Sequence, residues 1–469
     1  MMVTPFLFLS FLLLPVALSQ LFRDVFIDCG ANVKSTFNNL EWLPDNDYIS
    51  AGTSKNITAH VLVPTLATVR TFPLQNNVFK KFCYEIPVDR TRKYLIRTTY
   101  YYGGVNGNVN PPVFDQIVDG TLWSVVNTTD DYFRGDSSYY EGVFMPTGKN
   151  LSVCLAANTH TDSDPFISAL EVVLLWDQLY NSTDFTAYSL SLVARHSFGY
   201  DGPVIGIWKS PDIPMISSIA TGNRLEKMHF PNQVYQILLF SGIWNLPPPK
   251  VFQTRLARSR PEPLTLFWPP GPVPSDNYSI ALYFANDQTA SGSSRTIDVT
   301  INGVAYYNNL SVIPAGVVVF ANPWPLSGIT NLTLAPSPGS IAGPLINAGE
   351  VFLMLPSGRK TLPRDVIAMI NLRKSFQNPP ADWHGDPCLP SGYSWTGVTC
   401  SEGRRIRIIT LHLENNRLGG MIHPSLGNLR NLRELFLQNN NLTGQVPSNL
   451  AQKPGLTLRY TPGNPFLHP

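Results

Sequence analysis

Two runs near the C-terminus superimpose at a constant offset of 24 residues: Leu411-x-Leu413-x-x-Asn416-x-Leu418-x-Gly420-x-Ile422 and Leu435-x-Leu437-x-x-Asn440-x-Leu442-x-Gly444-x-Val446. No other feature restricts the fold as much. One such coil has too little apolar interior to stand alone, so coils of this period must stack. The leucines then fill the inside, and Asn416 and Asn440 bond backbone groups at the turn. The variable positions His412, Glu414, Phe436 and Gln438 face solvent on one surface. Two full coils are few for independent stability, so flanking sequence has to close the ends. On the N-terminal side, Cys388 and Cys400 bracket a Trp/Gly/Pro loop and are expected to bridge and cap the first coil. Ahead of them, residues 364 to 376 carry Val366, Ile367, Ile370 and Leu372 near helical spacing. Residues 454 to 469 show no evident closing cap. The repeat is the leucine-rich-repeat signature.

Upstream of Pro363 the pattern changes. Runs such as residues 94–100 (YLIRTTY), 122–126 (LWSVV) and 171–175 (EVVLL) are separated by turn clusters at 103–108 and 146–150, with almost no helical periodicity. Evenly spaced short strands point to a sandwich or barrel. Residues 200 to 355 repeat the theme. There the alternating run Thr296 to Ile301 leads into Asn302-Gly303, the strongest short hairpin signal. The two halves also match in order: residues 94–97 parallel 278–281, and 166–172 (FISALEV) parallel 345–351 (LINAGEV). That duplication predicts two sandwiches of one kind in tandem.

Composition narrows the function. The 469 residues allow roughly three domains at about 150 each, and 43% are apolar, ample for sizeable cores. The formal net charge is only +2, which excludes a general nucleic-acid binder, since that needs a basic excess to displace counterions. Residues 6 to 18 are almost wholly apolar, short of the roughly 20 needed to span a bilayer, and Ala17-Leu18-Ser19 resembles a cleavage site. Residues 1–19 are read as a secretory signal peptide; no membrane span is expected, and the location is expected to be secreted or extracellular, at the cell surface if the chain is the outer part of a longer anchored receptor. Eight glycosylation sequons follow, at Asn56, Asn127, Asn150, Asn181, Asn277, Asn309, Asn331 and Asn441. Three further cysteines, Cys29, Cys83 and Cys154, leave their pairing open; Cys83 and Cys154, both in strand-like runs, are the expected pair, with Cys29 buried and free.

Four patches now resemble the plant malectin-like, leucine-rich-repeat receptor-like family: residues 26–30 (FIDCG); Arg70-Thr71-Phe72-Pro73 with Phe82-Cys83-Tyr84 and residues 94–97; residues 165–171 (PFISALE); and Trp383-His384-Gly385-Asp386-Pro387-Cys388 with Trp395, Gly397, Val398 and Cys400. His423 departs from a proline usual in this repeat type. The resemblance implies a mainly β chain: two tandem malectin-like β-sandwiches of jelly-roll type at 20–199 and 200–360, a helical and Cys-bridged junction at 361–402, and a short α/β leucine-rich-repeat solenoid with its tail at 403–469. It implies extracellular recognition of an oligosaccharide or peptide, with a receptor partner at the cell surface. Malectin itself holds a glucose disaccharide between aromatic rings and polar groups. Sugar C–H faces suit aromatic platforms, and hydroxyls suit Asp, Asn or Arg. The candidate ligand residues are accordingly Tyr100, Tyr101 and Tyr102, which run into a Gly/Asn-rich loop, with Asp131, Arg134 and Tyr139 nearby. The candidate partner contacts are His412, Phe436 and Gln438, Phe436 being a large apolar group where solvent is expected.

Catalytic motifs are missing: there is no H-E-x-x-H, G-x-S-x-G or P-loop. No enzyme activity, cofactor or metal is expected. The alternatives are a non-lectin scaffold or coreceptor whose repeats dock another receptor and, remotely, a cell-wall glycosidase, whose carboxylate pair is defined through space rather than along the chain.

Overall fold

The computed structural model describes residues 23–469 apart from 59, 75–79, 108–109, 201–215, 218–225, 230–246, 248, 287–294 and 358. The expected signal peptide at 1–19 lies outside the described residues.

The apolar alternation of the short runs makes strands, and one long sheet threads through two sandwiches. Its order is Ser35–Phe37, Leu40–Pro44, Val25–Asp28, Ala169–Leu174, Tyr94–Tyr100, Ser138–Phe144, Tyr188–Ser197, Ala348–Pro356, Val273–Phe284 and Val317–Gly328. The seam between the sandwiches is the antiparallel pairing of Ser138–Phe144 with Tyr188–Ser197, in the register Gly142↔Ser191 and Val143↔Leu190. Joining edge to edge removes two exposed strand edges at once. Opposite the first half lies the sheet Lys81–Pro87, Asn150–Ala157, Phe114–Val118, Thr121–Val126; opposite the second lies Leu264–Phe267, Asn331–Pro336, Thr296–Ile301, Val304–Ser311. Ile27, Ile96 and Leu170 meet Tyr84, Phe114 and Val153 in the first core. Ile280, Leu282 and Val351 meet Leu266, Val299 and Leu334 in the second.

The duplication in sequence is a duplication in hydrogen bonding. Ser168 Oγ accepts from the Tyr101 N–H at 2.8 Å, and Asn347 Oδ1 accepts from the Ala285 N–H at 2.7 Å. The Ser168 and Asn347 carbonyls accept from the N–H groups of Cys29 and Phe198 at 2.9 and 2.7 Å. The residue after each of those is glycine at positive φ: Gly30 at 84° and Gly199 at 75°. A Cβ there would fall 2.4 Å from Val69 O and 2.3 Å from Arg255 O, so only glycine fits either place.

Both disulfides form as expected, Cys83–Cys154 and Cys388–Cys400, and Cys29 is free and buried. The helix Pro363–Ser375 starts on a proline whose missing N–H costs nothing at that position. It ties to the first coil through Asp365, which accepts from Arg407 Nε at 2.9 Å and from the Ile408 N–H at 3.1 Å. Trp383 and Trp395 stack at 5.2 Å inside the cap.

The solenoid corrects one expectation, that of two coils with no closure. A third, shorter coil follows. Its strands Thr457–Arg459 and Phe466–His468 extend the two parallel sheets. Asn464 repeats the part of Asn440: the side chains donate to backbone carbonyls (Leu413, Leu437 and Gln438 for Asn440; Leu437 and Tyr460 for Asn464), and each accepts from a leucine N–H, Leu418 or Leu442, at 2.9 Å. Asn416 is exposed, and its side chain donates only to the Glu414 carbonyl.

Candidate functional site

The tyrosines expected as a sugar platform are core residues. Tyr100, Tyr101 and Tyr102 are 1%, 6% and 1% exposed. Tyr100 ends its strand with its hydroxyl on Gln116 Oε1 at 3.0 Å, its ring against Phe114, Tyr140 and Phe166. The Tyr101 hydroxyl donates to the His60 carbonyl. Tyr102 packs on Phe166 and, at 5.1 Å, on Tyr132. The expectation counted side-chain faces along the strand; it missed the loops that cover the strand end. Tyr132 belongs to the short helix Thr129–Arg134, so the structure does bring Asp131 and Arg134 close to this cluster, at the surface above it. There Arg134 pairs with Asp131, which also accepts from Ser138 Oγ. Tyr139 lies apart, on the other face of the sheet, with the Arg97 guanidinium 5.9 Å from its ring centre.

That other face carries a charge chain which sequence reasoning missed. Arg97 bonds Glu141 at 2.7 Å, Glu141 bonds Arg195 at 2.5 Å, and Arg195 bonds Glu350 at 2.5 Å. Tyr283 Oη adds a bond to Glu350 at 3.0 Å. The chain crosses the seam, and removing one member leaves its neighbours as uncompensated buried charges. Burial opposes ionisation of Glu141, but Arg195 and Arg97 more than offset it and hold its carboxyl below the usual range. A carboxylate held that way is a poor proton donor, which argues against a glycosidase acid at this position.

The solenoid brings its expected residues together. The strands Ile408–His412, Glu434–Phe436 and Thr457–Arg459 pair in parallel and align His412 with Phe436 and Arg459. The His412 ring lies flat on Phe436, 4.4 Å between centres and 7° between planes, and the Arg459 guanidinium sits 4.9 Å from the Phe436 ring centre. Glu434 bonds His412 Nε2 at 2.8 Å. Gln438 occupies the next row. His412 and Arg459 are exposed and Phe436 half-buried. This is a presented surface, unlike the tyrosines. Arg459 belongs to the third coil and was not foreseen.

Seven of the eight sequon asparagines are exposed; Asn331 is half-buried. An open recess of about 540 Å³ on the second sandwich is lined by Ser275, Asp276, Asn277, Asn302 and Pro325 among others. Among the described residues no helix is long and apolar enough to cross a membrane, and no cluster of metal-binding side chains occurs.

Residues 27–354 match the malectin-like domain model. The chain belongs to the malectin-like family. Within this malectin-like chain, residues 362–401 match the leucine rich repeat N-terminal domain, and 407–429 and 431–452 match leucine rich repeats. It is 30% identical to a leucine-rich repeat receptor-like serine/threonine-protein kinase of Arabidopsis thaliana (At2g14510) over 87% of this chain and 47% of that protein. It is 28% identical to the probable LRR receptor-like serine/threonine-protein kinase PAM74 of the same plant, over 87% and 46%. The chain thus spans about half the length of the curated relatives it matches. The ANX2 ectodomain from Arabidopsis thaliana shares the fold with a TM-score of 0.59 at 17% identity, covering 71% of this chain and 97% of that one. A structure of plant peptide RALF23 in complex with FER and LLG2 does so with a TM-score of 0.54 at 17% identity, covering 71% and 96%.

Proposed function

We propose that this chain is the extracellular recognition region of a receptor-like protein. On this reading the malectin-like body takes a secreted peptide and the open face of the solenoid docks a second cell-surface receptor. The observation that carries the reading is the contrast in presentation: the tyrosines that a sugar would need are enclosed, while the His412–Phe436–Arg459 row is offered to solvent. A structural relative that forms a complex with a peptide and a third protein adds support. The exposed sequon asparagines carry glycans on this reading.

The test is a paired screen. Glycosylated residues 20–469 are presented to a panel of secreted peptides and receptor ectodomains, and to a glycan array with gluco-oligosaccharides and pectin fragments. The expected result is a saturable peptide or ectodomain hit, with ectodomain affinity falling about tenfold in Phe436→Ala, as for a central aromatic contact. A saturable glycan hit with no protein hit overturns the reading.

A further inference from the structure

The open face has a second row, and it is incomplete. Beyond the strand ends the parallel pairing continues: the Leu413 N–H donates to the Phe436 carbonyl at 2.8 Å, and the Asn415 N–H to the Gln438 carbonyl at 3.1 Å. Glu414 and Gln438, which are 24 residues apart, therefore sit side by side on adjacent coils, one row from His412 and Phe436. The first row is satisfied within the protein, through Glu434 on His412 and Arg459 on Phe436. The second is not. Glu414 Oε2 and Gln438 Oε1 are shielded from solvent, and neither has a hydrogen-bond partner. Buried acceptors are ordinarily paired, and a carboxylate oxygen has the most to gain from a donor.

We propose that Glu414 and Gln438 form the anchor subsite for an arginine side chain presented by the docking partner; the inference rests on the reading that this face docks a protein. Both orphaned atoms are acceptors, so the missing group is a donor, and the two side chains, only half-buried as residues, turn outward to meet it. They stand on neighbouring strands, about 4.8 Å apart along the hydrogen-bonding direction. A planar guanidinium with five N–H donors spans two such acceptors, whereas an ammonium is a compact point charge. Phe436 is already faced on both sides, by the His412 ring and by the Arg459 guanidinium, so the incoming group is held by the two acceptors rather than by the rings. The charge also fits. Glu414 belongs to the first coil and Arg459 to the third, so the one fixed cation of the row is two strands away from the carboxylate that would receive the incoming one.

The test needs no identified partner. Saturation-transfer NMR of the glycosylated protein is recorded with N-acetyl-arginine methylamide, its lysine counterpart and its citrulline counterpart, which keeps the shape and loses the charge. The arginine probe is expected to give a signal about fivefold above both others, lost in the double variant Glu414→Leu, Gln438→Leu. The melting temperature of that variant is expected to stay level or rise, because two unpaired acceptors have been removed. Equal signals from arginine and citrulline, an arginine signal that survives in the double variant, or a lowered melting temperature would each overturn the proposal; the last would mean the two acceptors are already satisfied in the free protein. An ectodomain hit in the panel screen without an arginine signal sinks this inference alone. An arginine signal without any ectodomain hit sinks the docking reading instead.

Discussion

The two sandwiches are built alike, yet the outer faces of their facing sheets have opposite fates. In the first, Phe114–Val118 is buried throughout, and Lys81–Pro87 is buried at every position except Glu85 and Pro87. In the second, Leu264–Phe267 and Thr296–Ile301 alternate, with Phe267 60% exposed. The difference is the cap of the solenoid, which follows the second sandwich in sequence but packs on the first. Tyr393 lies on Ile117 and the Cys83–Cys154 bridge. Lys81, 1% exposed, donates to the Asp386 carbonyl at 2.6 Å and to that of Leu389. Burial pulls its pKa down to about 8, with Asp386 and Asp382 pulling the other way. A strand covered on both faces can carry an unbroken apolar run, as Phe82-Cys83-Tyr84 does, and one covered on a single face reads as an alternation, as Thr296–Ile301 does. The comparison therefore teaches that a domain contact, as well as a core, can be written into strand patterning.

A matched pair of substitutions would break or confirm this. Ile117→Asp buries a charge without a partner between the sheet and the cap, and should cost about 4 kcal/mol or more. Phe267→Asp places the same charge on the open face and should stay within about 0.5 kcal/mol. Denaturant unfolding measures both, and protease cleavage near residue 360 reports whether the solenoid has come loose. Equal losses from the two would mean that the cap does not cover the first face in solution.

Acid should also separate the covered face from the open one. Burial disfavours the charged form of Glu85, but its bond to His384 and the charge of Arg373 win, and its pKa falls to about 2. A carboxylate depressed from 4.5 binds fewer protons in the folded chain than in the unfolded one. Its contribution is therefore complete above about pH 4.5 and disappears as the pH falls toward 2, with a ceiling of roughly 3 kcal/mol. The variant Glu85→Gln should begin less stable at neutral pH and lose less on acidification. Parallel acid titrations of the two proteins would contradict the assignment.

Much of this was readable from residue patterns, and the failures have physical causes. The tandem sandwiches followed from short alternating runs and their repetition, and the solenoid from a strict period. The tyrosines were misplaced because alternation assigns a face without saying what covers it. The third coil was hidden because its strand pairs Leu435 with Leu458, a spacing of 23 rather than 24, before Asn464 restores the period. The charge chain at the seam joins residues 44, 54 and 155 positions apart, a distance that no local pattern encodes. Lys81 to Ile86 did carry a signal for the docked cap, because the run fails to alternate.

The smallest expected effect tests the edge of the same contact. Tyr393 Oη donates to Asp115 Oδ2 at 2.6 Å, and Asp115 keeps a second bond from Asn158 Nδ2 at 2.7 Å. Burial, together with the bond and charge of Asp115, holds the phenol's pKa far above its usual value, so it remains a donor throughout the working pH range. Tyr393→Phe removes the hydroxyl and leaves the ring on Ile117 and the bridge. With Asn158 still in place the cost should be about 1.5 kcal/mol, the low end for a bond to a charged group. Tyr393→Ala removes the packing as well and should cost distinctly more. If the two variants proved equally costly, the ring would contribute nothing and the cap would be held by its polar bonds alone. If Tyr393→Phe were silent and Tyr393→Ala were not, apolar contact would be what holds the solenoid on the first sandwich.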